Sequence, residues 1–193
     1  MARETCCRQR GMAAIRTVAC ALAAACDTEQ GRVRQLACRF VLAGALAERH
    51  RITLDVGHNQ MDWRLRSDPR VSCLERINAR HLTADDLPAA HCQFDIVTAD
   101  VSFISLRYIL PVVPPLLRPG ADIVTLVKPQ FEAGREEVGK HGVVRDDAVR
   151  ARVLAEVVAA AEALGLVARG HTASPIEGME GNLEWLAHFR SRA

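Results

Sequence analysis

Short hydrophobic runs that end in a polar residue alternate with helix-forming segments from about residue 52 onward. This alternation restricts the chain to few folds. The runs are rich in Val and Ile and have the length of buried strands: ITLDVG (52–57), FDIVTADVSF (94–103) and DIVTLVKP (122–129). Strands that alternate with helices predict a mainly parallel sheet with right-handed crossovers.

The C-terminal third continues the pattern and then changes it. A helix is predicted from about Asp146 to Leu164, with Asp146 or Asp147 as its cap and Gly165 at its end. LVARGHTAS and NLEWLAHFR then predict two closing strands around a turn-rich segment. We therefore predict an α/β fold with a doubly wound, mostly parallel, Rossmann-like sheet and an antiparallel C-terminal hairpin.

Composition and charge suggest one globular domain with an atypical beginning. The chain has 193 residues, of which 49% are hydrophobic and 25% charged, enough to bury a core. Residues 1–50 carry eight Arg against four acidic residues, a net charge of +4. We predict that residues 1–50 form a basic segment with a divergent first strand and helix, and that residues 51–193 form the main domain. The basic excess is compatible with a nucleic acid partner and equally with ordinary structural helices.

The cysteines and the N-terminal apolar run indicate in which cellular compartment the protein is expected. Seven cysteines, five of them within the first 38 residues and without a C-x-x-C pair, favour reduced thiols in the cytoplasm over disulfides or a zinc site. The stretch MAAIRTVACALAAAC (12–26) resembles a lipoprotein export signal, but an Ala-rich packed helix is the favoured interpretation. No run approaches the ~20 apolar residues of a membrane span, so no membrane association is predicted.

Charged residues end three of the predicted strands. Asp55, Asp100 and Lys128 each follow a hydrophobic run, and ligands of such sheets lie across the carboxyl ends of the strands. A single Asp at a strand end is more often a turn or helix cap. For Lys128 the alternative to a role in a site is a side chain that simply extends from the strand end into solvent. Three such residues at one edge favour a functional site.

Several long motifs carry a family resemblance. From about Asp55 to Arg190 the chain resembles the TlyA, or hemolysin A, family of FtsJ-like RNA ribose methyltransferases. The motifs that carry it are DVGHNQMDWRLRSDPRV, ERINARHL, DVSFISL, LVKPQFEAGREEVGKHGVVRD and SPIEGMEGNLEWL. The resemblance implies a class I methyltransferase fold, S-adenosyl-L-methionine as methyl donor, and ribosomal RNA or a ribosomal subunit as partner.

The resemblance also implies roles for individual residues. The family's lysine-aspartate-lysine-glutamate constellation falls, in its last three members, on Asp100, Lys128 and Glu184 as catalytic residues. Asp55, Asn78 and Asp100 are the implied cofactor-binding residues, with Asp55 accepting the adenosine ribose hydroxyls and Asn78 at the adenine edge. A turn or cap role for Asn78 is the alternative.

The chemistry of this constellation is coherent. A ribose 2′-hydroxyl is a very weak acid, so its methylation needs a cation that orients the oxygen and stabilises developing negative charge. A buried ammonium is costly unless it is paired, and we expect Asp100 and Glu184 to be the partners of Lys128. Outside this trio, Phe103 is expected in the core. Arg135 and Lys140 are expected in a loop that either contacts RNA phosphates or is simply solvated.

The N-terminal region departs from the family pattern. The family has a glycine-rich loop after its first strand, but the corresponding GRVRQLACRFVLAG has no glycine between Gly31 and Gly44, and side chains such as Arg39 would obstruct a close backbone approach. From the residues given, we expect no counterpart of the family's first catalytic lysine or of its usual small N-terminal RNA-binding module. Two hypotheses follow: an S-adenosylmethionine-dependent 2′-O-methyltransferase of ribosomal RNA, or a non-catalytic RNA- or ribosome-associated module that has lost cofactor binding.

Overall fold

A seven-stranded mixed sheet is the centre of the molecule. The computed structural model describes residues 39–43 by their backbone, and residues 51–59, 61–88 and 93–192. The strands are ordered β3-β2-β1-β4-β5-β7-β6. Their bounds are β1 Arg39–Ala43, β2 Arg51–Asp55, β3 Val71–Glu75, β4 Phe94–Asp100, β5 Leu117–Val127, β6 Val167–Ala173 and β7 Trp185–Arg190. The predicted N-terminal helix at 12–26 lies outside the described residues.

Strand directions agree with the prediction except at the centre of the sheet. β2 and β3 are parallel, β4 and β5 are parallel, and β6 and β7 form the predicted antiparallel hairpin. β1, however, is antiparallel to both of its neighbours, β2 and β4. Five strands therefore run one way, and β1 and β7 run the other way. A sequence pattern does not encode this reversal, since a five-residue apolar strand can pair in either direction.

Four α-helices connect the described strands: α1 Trp63–Arg66, α2 Leu106–Ile109, α3 Pro129–Glu132 and α4 Asp147–Ala163. The long helix α4 begins as predicted, because the Asp146 side chain accepts a hydrogen bond from the Ala148 N–H at 2.8 Å. It ends before Gly165, whose φ of +84° suits a glycine. No helix among these described segments is long and apolar enough to cross a membrane.

Among the described residues, most of the hydrophobic core lies on one face of the sheet. Alternate residues of β5 point to opposite faces, so Ile123 and Val127 join the main core whereas Val124 joins a small second cluster with Leu186. The buried face of α4 packs on the main core through Leu154, Val157 and Ala161. This packing holds β4 and β5 side by side, so that their carboxyl ends present Asp100 and Lys128 at the same edge.

Candidate active site

Lys128 and Asp100 form an ion pair at the carboxyl edge of the sheet. Lys128 Nζ lies 2.6 Å from Asp100 Oδ1, and the two side chains are only 12% and 16% exposed. The ammonium also donates a hydrogen bond of 3.0 Å to Ser102 Oγ. The alternative in which Lys128 extends into solvent is therefore wrong.

The residue after Lys128 helps to set its position. Pro129 is the first residue of α3, where its missing N–H costs no helical hydrogen bond. Proline also restricts the preceding residue to extended conformations, and Lys128 has φ −109° and ψ 102°. The lysine therefore keeps the extended course of β5 for one residue more.

Glu184 lies near this pair without contacting the ammonium directly. Its Oε1 accepts a hydrogen bond of 3.0 Å from Gln130 Nε2, and within the described residues it forms no ion pair with Lys128. Lys128 was expected to pair directly with Asp100 and Glu184. This expectation is correct for Asp100 and wrong for Glu184. Glu184 was expected beside the ammonium because it comes from a neighbouring strand end, but its Oε1 accepts a hydrogen bond from Gln130 instead.

Burial changes the acidity of Glu184. Desolvation raises the pKa of this carboxyl above its usual 4.5, and the negative charge of Asp100 acts in the same direction. The Gln130 hydrogen bond and the positive charge of Lys128 act against this rise and only partly cancel it. Burial therefore favours the protonated form of the Glu184 carboxyl more than that of an ordinary glutamate.

Gly178 makes room for the Glu184 carboxylate. A Cβ atom at this position would stand 2.6 Å from Glu184 Cδ and still closer to Oε1. The φ of Gly178 is −73°, an ordinary value, so the glycine is required by space and not by backbone conformation. The glycine of the SPIEG segment thus shapes the site.

Glu132 joins the segments that follow β4 and β5. Its buried carboxylate accepts hydrogen bonds from Ser105 Oγ at 2.6 Å and from the Leu106 N–H at 2.7 Å. Arg107 lies beside the same carboxylate, with Nε 3.8 Å from Oε2. Because Ser105 follows Asp100 and Glu132 follows Lys128 by only a few residues, this contact holds the two strand ends in a fixed relation.

Asn182 likewise connects two segments of the chain near the site. Its Nδ2 donates to Gly142 O at 2.9 Å, and its Oδ1 accepts from the Val144 N–H at 3.2 Å. This buried amide ties the loop that carries Lys140 to the segment that carries Glu184. Lys140 itself is exposed, as is Arg135.

Phe103 is exposed and not part of the core. Its side chain is 73% accessible, and its backbone has a φ of +62°, which is uncommon for a bulky residue. Its ring lies 5.1 Å from the ring of Phe131, at an angle of 50°. The expectation of a core role failed because β4 ends at Asp100 and the left-handed backbone at Phe103 turns the ring outward, beside Phe131.

Asp55 and Asn78 lie together at the neighbouring strand ends. Asp55 is 5% exposed, and its Oδ1 accepts a hydrogen bond of 2.7 Å from the Gly57 N–H. The Ile77 N–H bonds to Asp55 O at 3.2 Å, which brings the following residue, Asn78, beside it. Asn78 caps a short 3-10 turn, accepting from the Arg80 N–H at 3.0 Å, as the alternative interpretation expected. A buried carboxylate at the end of β2 fits the nucleoside half of S-adenosylmethionine.

Sequence reasoning missed three residues of this site. Ser102, Gln130 and Glu132 contact the ammonium, hold Glu184 and join the strand ends, respectively. Each lies within four residues of Asp100 or Lys128, inside the motifs DVSFISL and LVKPQFEAG. The sequence signal that could have found them is a polar residue two to four positions after a charged residue at a strand end.

Comparison with known proteins agrees with this geometry. The model of the family described as FtsJ-like methyltransferase matches residues 32–191. The chain belongs to the FtsJ-like methyltransferase family. Its α/β fold with a mixed sheet is that of class I methyltransferases, as the strand pattern and the motif resemblance predicted.

Individual relatives of this FtsJ-like chain share the same region. It is 52% identical over 136 residues to "Putative rRNA methyltransferase YqxC" of Bacillus subtilis, covering 70% of this chain and 48% of that protein. It is 46% identical over 143 residues to "16S/23S rRNA (cytidine-2'-O)-methyltransferase TlyA" of Mycobacterium tuberculosis. This match covers 74% of this chain and 52% of that protein. The chain therefore spans about half the length of the curated relatives it matches.

A solved structure extends the likeness to three dimensions. "Putative hemolysin from Streptococcus thermophilus" matches with a TM-score of 0.68 and 43% identity, covering 72% of this FtsJ-like chain and 50% of that one. The resemblance to the TlyA, or hemolysin A, family is thus confirmed.

Proposed function

We propose that this protein methylates a ribose 2′-hydroxyl of ribosomal RNA, with S-adenosylmethionine as the methyl donor. The observation that carries the proposal is the mostly buried ion pair between Lys128 Nζ and Asp100 Oδ1, 2.6 Å apart at the carboxyl edge of the sheet. The relatives named above as rRNA methyltransferases support this choice of substrate.

Lys128 would act on the attacking oxygen. Within the described part of the chain its ammonium is held by Asp100 and Ser102, so its third N–H would be available to a hydroxyl that enters at the edge. A fixed cation beside the oxygen stabilises the negative charge that develops as the hydroxyl attacks. Such positioning is typically worth ~10²–10⁴ in rate.

Glu184 would assist by proton handling and orientation. Burial raises the pKa of Glu184, which makes its carboxylate a stronger base than that of an ordinary glutamate. Gln130 holds it through Oε1, which leaves Oε2 to face the proton that the hydroxyl loses. Asp100 would hold the Lys128 ammonium in position through the ion pair, so removing either carboxylate should affect the same step.

Asp55 and Asn78 would hold the cofactor. S-adenosylmethionine supplies an activated methyl group on sulfur. The buried Asp55 carboxylate is suited to accept hydrogen bonds from ribose hydroxyls, and the Asn78 amide would meet the adenine edge. Asp100 would lie between this nucleoside region and Lys128.

The exposed groups around the site suit an RNA partner in the cytoplasm. Lys140 and Arg135 can reach phosphate oxygens from the loop that Asn182 anchors. Phe103 presents an aromatic ring to solvent beside the catalytic pair, where a base can stack. A ribosomal subunit would present such an RNA.

One observation favours the non-catalytic alternative. β1 is antiparallel to its neighbours and contains no glycine, so its carboxyl end does not supply a cofactor loop at this edge. The deciding experiment is transfer of labelled methyl groups from S-adenosylmethionine to ribosomal RNA, followed by mapping of the modified ribose. Transfer that disappears in Lys128→Met supports the methyltransferase; RNA binding without any transfer supports the alternative.

A further inference from the structure

Glu75 contacts the loop that follows Asp55. It is the last residue of β3 and lies opposite Asp55, the last residue of the parallel strand β2. Its Oε1 accepts a hydrogen bond of 2.8 Å from the Asn59 N–H, and His58 Nδ1 lies 2.9 Å from Oε2. Arg66, the last residue of α1, also donates to Oε1. One side chain of β3 therefore holds two successive residues of the loop after β2 and the helix that follows this loop.

The Glu75 carboxylate is mostly buried and stays ionised near neutral pH. Its side chain is 13% exposed. Desolvation raises the pKa of this carboxyl, but hydrogen bonds from Arg66, the Asn59 N–H and His58 lower it by more, so the pKa lies below the usual 4.5. The contacts of this carboxylate are therefore charge-assisted, which makes them stronger than hydrogen bonds between neutral groups.

The loop that Glu75 holds also orients the carboxylate of Asp55. The Gly57 N–H donates to Asp55 Oδ1 at 2.7 Å. The two residues that follow Gly57 are His58 and Asn59, which are the loop residues in contact with Glu75. A displacement of these two residues would move the N–H that fixes the rotation of the Asp55 carboxylate. Glu75 therefore acts on Asp55 through the backbone of the loop.

The loops after β2 and β3 are bonded to each other as well. The Arg76 N–H donates to Gly57 O at 3.3 Å, and the Ile77 N–H donates to Asp55 O at 3.2 Å. Arg76 and Asn59 both have a φ of +60°, which is uncommon for residues other than glycine. Such conformations persist where the surrounding contacts fix them, and they are frequent at ligand sites. The two loops thus form one fixed unit around the end of β2.

We propose that Glu75 is a positioning residue for cofactor binding, which sets the Asp55 carboxylate for the adenosine ribose by holding residues 57–59. The inference rests on the cofactor assignment in the proposed function and deepens it. Asp55 makes the contact with the cofactor, and Glu75 acts only through the loop. Loss of Glu75 should therefore weaken cofactor binding and leave the rate at saturating cofactor unchanged, because the Lys128–Asp100 pair is at other strand ends.

Isothermal titration calorimetry of the full chain with S-adenosylhomocysteine tests this role independently of methyl transfer. Glu75→Met removes all three contacts at a similar side-chain length. We expect it to raise the dissociation constant roughly tenfold, as the weakening of one charge-assisted hydrogen bond would. Glu75→Gln keeps an oxygen acceptor for the Asn59 N–H and should bind with intermediate affinity. In methyl-transfer kinetics both variants should raise KM for S-adenosylmethionine and keep kcat within about twofold.

Asp68→Asn is the matched control. Asp68 precedes β3 at its opposite end, where its carboxylate lies 2.6 Å from Arg70 Nη2. The substitution removes the same charge as Glu75→Gln and breaks an ion pair of the same β2–β3 connection. It should leave the dissociation constant for S-adenosylhomocysteine unchanged. Thermal melting of each variant shows whether it is folded, and Glu75→Gln carries the test if Glu75→Met does not fold.

The outcomes separate this inference from the proposed function. Unchanged binding of S-adenosylhomocysteine by folded Glu75 variants overturns the inference and leaves the proposed function standing. Equal weakening by Asp68→Asn and Glu75→Gln also overturns it, because general destabilisation would then explain the loss. Weaker binding by the Glu75 variants alone, with no methyl transfer to RNA by the original protein, supports the inference and contradicts the proposed function. Absence of binding by the original protein overturns the cofactor assignment and the inference together.

Discussion

Lys128 and Asp100 are the last charged residues of two adjacent parallel strands, and their side chains meet 2.6 Å apart although both are mostly buried. Burial makes the pair sensitive to the loss of either member, because an unpaired buried charge is costly. It also makes the ammonium a stronger electrostatic partner for an incoming oxygen than an exposed lysine would be.

Lys128→Met should abolish methyl transfer while the protein remains folded. We expect a loss of ~10²–10⁴ in kcat, because the positioned cation is removed. The melting temperature should also fall, since Asp100 loses its partner. The matched control is Arg118→Met, which removes a cation from the opposite end of β5 and should leave kcat unchanged. Transfer by Lys128→Met at the unaltered rate would contradict the role of Lys128.

Gly178→Ala should disturb Glu184 without unfolding the chain. A Cβ would stand 2.6 Å from Glu184 Cδ, so the carboxylate must move away from Gln130. We expect a lower kcat with little change in KM for RNA. Gly134→Ala introduces a comparable clash, 2.8 Å from Glu136 Cδ, but that side chain is exposed and can swing aside. Equal effects of the two substitutions would argue against a special position for Glu184.

Glu132→Ala should destabilise the protein. The buried N–H of Leu106 and the hydroxyl of Ser105 would lose their acceptor, and an unsatisfied buried donor costs about 1–3 kcal/mol. Urea unfolding measures the change. Glu132→Gln, which keeps an oxygen acceptor for Leu106, should recover part of the loss; an alanine variant as stable as the original protein would disprove the joining role of Glu132.

Phe103→Ala should weaken RNA binding and leave stability nearly unchanged. The ring is 73% exposed, so the core loses nothing, whereas a lost base-stacking contact typically costs about 1–3 kcal/mol of binding free energy. Fluorescence anisotropy with a ribosomal RNA fragment measures the affinity. Leu164→Ala, at an exposed apolar position beyond the end of α4, serves as the control. A large fall in melting temperature with unchanged RNA affinity would show that Phe103 has a structural role instead.

The contribution of Glu184 to the free energy of unfolding should decrease as the pH rises above about 4.5. Burial raises the pKa of Glu184 above the ordinary 4.5, so the folded protein holds this proton more tightly than the unfolded chain does. The contribution is fully present below about 4.5 and is lost as the pH rises through the raised pKa.

Urea unfolding of Glu184→Gln between pH 4 and 7 checks this pH dependence. The variant cannot ionise at this position, so its free energy of unfolding should fall less over this range than that of the original protein. Glu180→Gln removes an exposed carboxylate from the same segment and controls for the change in net charge. Identical pH profiles for the original protein and Glu184→Gln would refute the burial argument.

Local sequence alone predicted most of the described elements and the meeting of Asp100 and Lys128 at one edge of the sheet. The Val- and Ile-rich runs predicted β2, β4 and β5, and the capped pattern from Asp146 predicted α4, because apolar periodicity and capping act over a few neighbouring residues. Asp100 and Lys128 were predicted to meet, because parallel neighbouring strands must end at the same edge.

Only the tertiary structure decided the direction of β1, the exposure of Phe103 and the partner of Glu184. Strand direction depends on which hydrogen-bonding edges are available, and RFVLA can pair with β2 and β4 in either sense. A single left-handed backbone angle reversed the expected burial of Phe103. Gln130 reaches Glu184 because β5 pairs with β7, with Val127 opposite Trp185, and a pairing between segments so distant in sequence is not set by local pattern.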